Sequence, residues 1–216
     1  DVMRWLYASQ NPEHNLNFGY NIADDVRKNL ITLWNTYSFF ITYANLDEFD
    51  PENDMVKYED YTNLDKWIIS KMHDLIKEAD KAYSSFKVFQ LMKSITKFID
   101  DLSNWYVRRS RRRFWRSENN TDKKAAYSAL YQVLLDLIKV MSPIIPFVSD
   151  KIYQNLVIQK GKEESIHLCD FPKFEKEYYN EELMTNIDSV ISVVSLGRSA
   201  RNRANIKNRQ PLQTVY

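Results

Sequence analysis

Glycine and cysteine are scarce in this sequence, and their scarcity disfavours whole classes of protein. Only three of the 216 residues are glycine and one is cysteine. The chain therefore has neither the turn residues of a β-sandwich or barrel nor the cysteines of a disulfide framework. No apolar run approaches the roughly 18–20 residues that cross a bilayer, and no signal peptide opens the chain. We expect a helical protein of the reducing cytoplasm with no membrane partner.

Catalytic motifs are also missing. The three histidines, His14, His73 and His167, lie far apart and lack the spacing of metal ligands, so surface or core-edge positions are expected for them. No other feature marks Cys169 as a nucleophile. No glycine-rich phosphate loop or G-x-S-x-G motif is present. The sequence predicts no catalytic residue, no metal site and no cofactor in this chain.

Apolar side chains recur at helical spacing along most of the sequence. Thr62, followed three residues later by Asp65, predicts a helix start, and Ser84 or Ser85 is expected to cap the next helix. Pro146 predicts another start. The predicted helices cover about residues 1–9, 22–44, 64–79, 86–116, 127–141, 146–156 and 181–200. Residues 1–9 indicate the end of a helix, and the six or so helices after them predict an all-α helical bundle.

A cluster of acids follows the long first helix. Residues 47–60 contain seven acids and one lysine, with Pro51 among them. The pattern favours a solvated acidic loop over a site for a partner.

The segment NWYVRRSRRRFWR, residues 104–116, is the strongest functional signal. It holds six arginines and no acid, although the whole chain has a formal net charge of only +1. Such a concentration of guanidinium groups beside aromatic rings is suited to RNA, which offers phosphates and planar bases together. The alternative is a solvated basic face with Trp115 in the core. The predicted contacts are Arg108, Arg109, Arg112, Arg113, Trp115 and Arg116, with Arg109, Arg112, Arg113 and Arg116 forming one helical stripe.

Two further groups are weaker candidates. On the long first helix these are Lys28, Trp34 and Asn35. In the basic tail they are Arg198, Arg201 and Lys207, with Arg203 and Arg209 close by. On the last predicted helix, Val190 and Ala200 are expected to pack inward. Two other functions stay open: a helical scaffold that binds an acidic protein, and a hydrolase, for which the sequence offers no pocket chemistry.

Several long stretches make the chain recognisable as a member of a family. They are VMRWLYAS, RKNLITLWNTYSFFITYANLD, LDKWIISKMHDLI, DLSNWYVRRSRRRFW, MSPIIPFVSDKIYQNL, SIHLCDFP and GRSARNRANIKNRQPL. In these the chain closely resembles the C-terminal half of the isoleucyl-tRNA synthetases, which are class I enzymes. The resemblance covers nearly the whole chain in the family's order.

The resemblance implies a fragment of a longer enzyme. Residues 1–20 would end the connection from the catalytic core, residues 21–180 would form the anticodon-binding bundle, and residues 181–216 would form a C-terminal helix and basic tail. Residues 28–35 and 108–116 would contact the anticodon arm of an isoleucine-accepting tRNA, with no DNA partner, and the fragment would be a monomer. The full-length enzyme would use ATP and Mg²⁺, with Zn²⁺ as a further candidate, and this fragment alone would be inactive.

Overall fold

The chain folds into helices joined by turns. A computed structural model describes residues 1–115, 120–157 and 162–213, and these ranges contain eight α-helices and no strand. They are α1 (Val2–Ala8), α2 (Tyr20–Leu46), α3 (Asn63–Ser84), α4 (Val88–Asp100), α5 (Arg108–Trp115), α6 (Thr121–Met141), α7 (Pro146–Leu156) and α8 (Glu181–Arg203). The chain divides into two compact units, Asp1–Tyr179 and Asn180–Tyr216. The all-α prediction is confirmed.

Helix α3 begins where the sequence predicts. The hydroxyl of Thr62 accepts a hydrogen bond from the amide of Asp65, and the Asp65 carboxylate accepts one from the amide of Thr62 at 3.0 Å. This reciprocal pair satisfies two amides that the first turn leaves without helical partners.

The predicted start of α4 at Ser84 or Ser85 is wrong. Ser85 closes α3, because its hydroxyl donates to the carbonyl of Lys81 at 2.7 Å. Phe86 then adopts a left-handed φ of 56° and is 88% exposed, so the chain turns there and α4 begins at Val88.

Helix α6 lies at the centre of the first unit. It packs against α3, α7, α5 and α2. Its side chains are buried on nearly every side, as expected for a helix that is apolar around its whole circumference. Trp67 of α3, together with Leu130 and Leu134 of α6, is completely buried.

The acidic segment after α2 is fastened to α6 at two of its acids, while Glu48, Glu52, Glu59 and Asp60 are exposed as predicted. Asp47 pairs with the buried ammonium of Lys123 at 2.6 Å, and Asp54 pairs with Lys124 at 2.7 Å. The ring of Phe49 stacks on Tyr127 with centroids 5.0 Å apart. These contacts pair two of the segment's acids with cations of α6 and bury part of its apolar surface.

A π-helical segment, Asp101–Val107, joins α4 to α5. The amide of Arg108 donates to the carbonyl of Ser103, five residues back, which is the hydrogen bond of a π-helix. The sequence predicted one uninterrupted α-helix over residues 86–116. The helical path does continue, but it contains this wider turn, which changes the residues that face the core beyond Leu102.

The second unit is built on α8. Val190 is 56% exposed and Ala200 is exposed as well, so the prediction that both pack inward is wrong. The helix ends at a left-handed residue, Asn205, with a φ of 54°. The amide of Ile206 donates back to the carbonyl of Arg201 at 2.9 Å, which is a common way to end a helix.

Candidate nucleic-acid interface

Arg113 lies inside the first unit. Its guanidinium donates two parallel hydrogen bonds to the carboxylate of Asp65, at 2.7 and 2.8 Å, and another to the carbonyl of Asp122 at 2.8 Å. Its Nε lies 2.8 Å from the Asp122 carboxylate, although its N–H is not aimed at that oxygen. The side chain is only 11% exposed. Arg113 therefore does not belong to the predicted phosphate-facing stripe.

The carboxylate that holds Arg113 joins three segments of the chain. Asp65 is fully buried at the start of α3 and also accepts hydrogen bonds from the hydroxyl of Thr62 and the phenol of Tyr106, each at 2.7 Å. Tyr106 belongs to the π-helical segment and Arg113 to α5. This cluster fixes the orientation of α5, and with it the direction in which the other arginines point.

Four arginines of α5 face the solvent: Arg108, Arg109, Arg111 and Arg112. Within the described residues, none of the four guanidinium groups has a carboxylate within 4.0 Å. That of Arg109 lies 4.4 Å from the centre of the Trp105 ring, a cation–π contact that restrains the side chain while its N–H groups can still reach a phosphate. Arg116, also predicted to bind, lies outside the described residues.

Two adjacent aromatic residues at the end of α5 have opposite environments. Phe114 is buried between Phe39 and Tyr127, with ring centroids 5.1 and 4.8 Å away. Trp115 is 58% exposed, and its indole N–H donates to the hydroxyl of Tyr43 at 2.7 Å. The sequence left open whether Trp115 belonged to the core. The indole is at the surface, held at one edge by α2.

Helix α2 contributes to the same surface through one of its faces. Asn35, Phe39 and Tyr43 follow one another at four-residue spacing, and Asn35 is exposed. Asn35 is therefore about 12 Å along the helix from the residue that holds Trp115. Sequence reasoning missed Tyr43, although its spacing from Asn35 and Phe39 was readable.

The other two candidates on α2 have intramolecular contacts. Lys28 pairs with Asp25 at 2.7 Å, and this hydrogen bond raises the pKa of Lys28. Trp34 is 40% exposed and packs edge-on against Tyr37 at 5.2 Å. Lys28, two turns before Asn35, lies on the same side of α2 as Asn35, whereas Trp34 lies on the side opposite Tyr43.

The basic tail belongs to the second unit. Arg198 and Lys207 are exposed, as are Arg203 and Arg209. Arg201 instead donates to the carbonyls of Lys207 and Gln210, at 3.0 and 2.7 Å, so it fastens the tail to the end of α8. The exposed cations of this tail remain candidates for phosphate contact.

The described ranges contain no cluster of three or more histidine, cysteine or acidic side chains that could hold a metal ion. The helices within those ranges are all too short or too polar to cross a membrane.

Comparison with known proteins gives consistent matches. The family described as the anticodon-binding domain of tRNA ligase matches residues 65–216. The isoleucine–tRNA ligase of Clostridium acetobutylicum is 46% identical over 98% of this chain and 21% of its own length. Those of Clostridium novyi and Dehalococcoides mccartyi are 43% and 44% identical over 100% of the chain and 21% and 22% of their lengths. The chain thus spans about one fifth of the relatives it matches.

Proposed function

The chain belongs to the family of anticodon-binding domains of tRNA ligases, and from this premise we propose that it grips the anticodon arm of an isoleucine-accepting tRNA. Other domains of a longer isoleucine–tRNA ligase would join the amino acid to that tRNA. The names of the relatives support the choice of amino acid.

The observation that carries the proposal is the charge on α5. Four exposed guanidinium groups, without carboxylate partners in the described ranges, lie on two turns of helix beside an exposed tryptophan. Like charges at this density repel one another, so an incoming polyanion relieves that repulsion as well as forming new ion pairs. An apolar protein partner would leave the same charges buried and unpaired.

The two kinds of side chain would have different tasks. The four exposed arginines would hold phosphates, which positions the RNA without reading its sequence. Trp115 would stack on an unpaired loop base, worth about 1–3 kcal/mol. Asn35 has an amide that can both donate to and accept from the edge of a splayed base.

The chemistry of aminoacylation would lie outside this chain. We assign ATP and Mg²⁺, and Zn²⁺ where the enzyme carries it, to the other domains. The protein would act in the cytoplasm, where its single cysteine stays reduced, and as a monomer.

The test is a binding titration against salt with three proteins. They are the wild type, the charge-reversed Arg111→Glu/Arg112→Glu variant, and a control, Lys151→Glu/Lys173→Glu, with the same change in charge at exposed lysines elsewhere in the first unit. The RNAs are isoleucine tRNA, the same tRNA with an altered anticodon, and a non-cognate tRNA.

The wild type should lose affinity with salt at a log–log slope of about −3, because four phosphate contacts contribute about −0.7 to −0.9 each. The arginine variant should lose about half of that slope and bind at least about 25-fold more weakly at 0.1 M salt, whereas the control should change little. Weaker binding to the altered anticodon would support base reading. An absence of RNA binding at low salt would overturn the proposal in favour of an acidic protein partner.

A further inference from the structure

A groove in the first unit, between α1, α2 and α4, has no role in the interface described so far. It encloses about 550 Å³, within the roughly 300–1,000 Å³ of pockets that bind small ligands. Its lining includes Met92 and Ile99, which are almost completely buried. Its polar lining includes Asn29, Thr32, Lys93, Lys97 and Asn104.

The charged groups of the groove suit a phosphate. Lys93 and Lys97 are one helical turn apart on α4, exposed, and without a carboxylate partner among the described residues. One acid, Asp100, also lines the groove, and one of its carboxylate oxygens accepts a hydrogen bond from the side-chain amide of Asn104. Two lysines against one acid leave the groove cationic. The second carboxylate oxygen of Asp100 has no partner within the described ranges.

The groove lies along the same pair of segments as the arginines. Asn29 and Thr32 of α2 face α4 across the groove, while Phe39 and Tyr43, further along α2, contact Phe114 and Trp115. The two segments therefore run in the same direction, and about 21 Å of α2 separates Asn29 from Tyr43. On the other side, Asn104 is four residues before Arg108. A single nucleic-acid chain can follow this path.

We propose that the groove binds one unpaired ribonucleotide of the same RNA that the arginines of α5 hold. Its phosphate lies between Lys93 and Lys97, its base enters the groove beside them, and its ribose 2′-hydroxyl donates to Asp100. The inference rests on the proposed function, since it requires that the domain bind RNA. A carboxylate beside a phosphate site has a role if it accepts a hydrogen bond from the 2′-hydroxyl, because an accepting group there selects ribose over deoxyribose.

The first experiment measures affinity for an isoleucine-tRNA transcript with Lys93→Glu/Lys97→Glu beside Arg111→Glu/Arg112→Glu and the Lys151→Glu/Lys173→Glu control. Each single-strand or duplex phosphate contact contributes about 0.7–0.9 to the salt slope. Because the two lysines hold one phosphate, we expect the groove variant to lower the slope by about 0.8 and to weaken binding about 5- to 8-fold at 0.1 M salt. Circular dichroism and thermal unfolding confirm that each variant folds.

The outcomes separate the groove from the arginine face. Weakened binding in the arginine variant, with the groove variant equal to the control, overturns the groove and leaves the proposed function intact. Equal weakening in the control would assign the effect to bulk charge and overturn the groove as well. If the wild type binds no RNA, both proposals fail.

A second experiment tests the sugar contact. The probe is the isolated anticodon stem-loop, made as RNA and as its all-2′-deoxy counterpart. Wild type should prefer RNA by about tenfold, since a hydrogen bond to a charged group is at stake. Asp100→Ala should lower that ratio severalfold, whereas Asp74→Ala, at an exposed acid of α3 that does not line the groove, should retain it. An unchanged ratio in Asp100→Ala would overturn the assignment of the carboxylate.

A third experiment locates the RNA directly. Thr96 also lines the groove, so Thr96→Cys in a Cys169→Ser background can carry a thiol-linked photo-crosslinker. The label should attach to the tRNA at one or two neighbouring nucleotides, and Lys93→Glu/Lys97→Glu should abolish the adduct. A label spread evenly over the tRNA, or absent while binding persists, would overturn the groove.

Discussion

Replacing Arg113 with leucine should destabilise the first unit far more than the same replacement of Arg112. Both residues belong to the arginine run, but Arg113 is paired with the buried Asp65 whereas Arg112 is exposed. Removing one partner of a buried ion pair costs about 3–5 kcal/mol, because it leaves the other charge buried and uncompensated. Exposed substitutions usually stay within about 0.5 kcal/mol.

The structure favours the lower end of that range. After the loss of Arg113, Asp65 would still accept hydrogen bonds from Tyr106 and from the hydroxyl and amide of Thr62. We therefore expect a destabilisation of about 3 kcal/mol. Adding Asp65→Asn should recover about 1–2 kcal/mol of it, because an amide can occupy the same site without a buried charge.

Urea unfolding, followed by far-ultraviolet circular dichroism, measures the difference. With a denaturant dependence of about 2 kcal/mol/M, Arg113→Leu should lower the midpoint by about 1.5 M and Arg112→Leu by less than about 0.25 M. Equal midpoints for the two variants would refute the assignment of Arg113 to the core, and with it the argument that this pair orients α5.

Two further predictions concern neighbouring aromatics and a buried acid. Trp115→Ala should weaken tRNA binding about 5- to 150-fold with little change in stability. Phe114→Ala should instead lower the free energy of unfolding by about 3–5 kcal/mol. The reverse pattern would contradict the environments assigned to these rings. Burial raises the pKa of Asp136 to about 6, an effect that nearby Glu175 adds to and Lys139 opposes. Since the folded-state pKa lies above the unfolded value, the stability from this group is present at low pH and is lost as the pH rises through about 6. Asp136→Asn should therefore be more stable than wild type above pH 7, by roughly 1–2 kcal/mol, and the gap should close near pH 4; a pH-independent gap in urea titrations would contradict the assignment.

The sequence predicted what depends on local periodicity. Apolar side chains at helical spacing identified the helices, and the Thr62 and Pro146 starts are confirmed because a cap involves residues within one turn. The contacts between the acidic segment and α6 were missed for the opposite reason. Its partners Lys123, Lys124 and Tyr127 are far away in sequence, and an acid with a distant cation looks the same in a sequence as a solvated one.

The sequence located the arginine run but not the environment of each of its arginines. The sequence indicated that residues 104–116 carry the interface, but it could not distinguish an arginine that binds a phosphate from one that binds a buried carboxylate. Arg113 and Arg201 are both committed to intramolecular hydrogen bonds. Lys93 and Lys97 gave no signal, because two lysines one turn apart on an amphipathic helix are ordinary solvent-facing residues until the groove beside them is known.

The π-helical segment decides which residues of the arginine run face the solvent. The core-facing residues here include Ile95 and Ile99 of α4 and Leu102 of the π-helical segment, and an unbroken α-helix would extend that face through residues 106, 109 and 113. A fully α-helical path would thus turn both Arg109 and Arg113 inward. The wider turn shifts the register by about one residue, so that Ser110 and Phe114 are buried instead.

This shift decides how the arginine run can be used. It frees Arg109 to lie over Trp105 at the surface, and it leaves Arg113 at the border of the core, close enough to reach Asp65. One guanidinium then anchors the helix while four remain for a ligand. A sequence pattern based on a uniform 3.6-residue repeat cannot anticipate this division, since one wider turn changes the direction of every side chain that follows it.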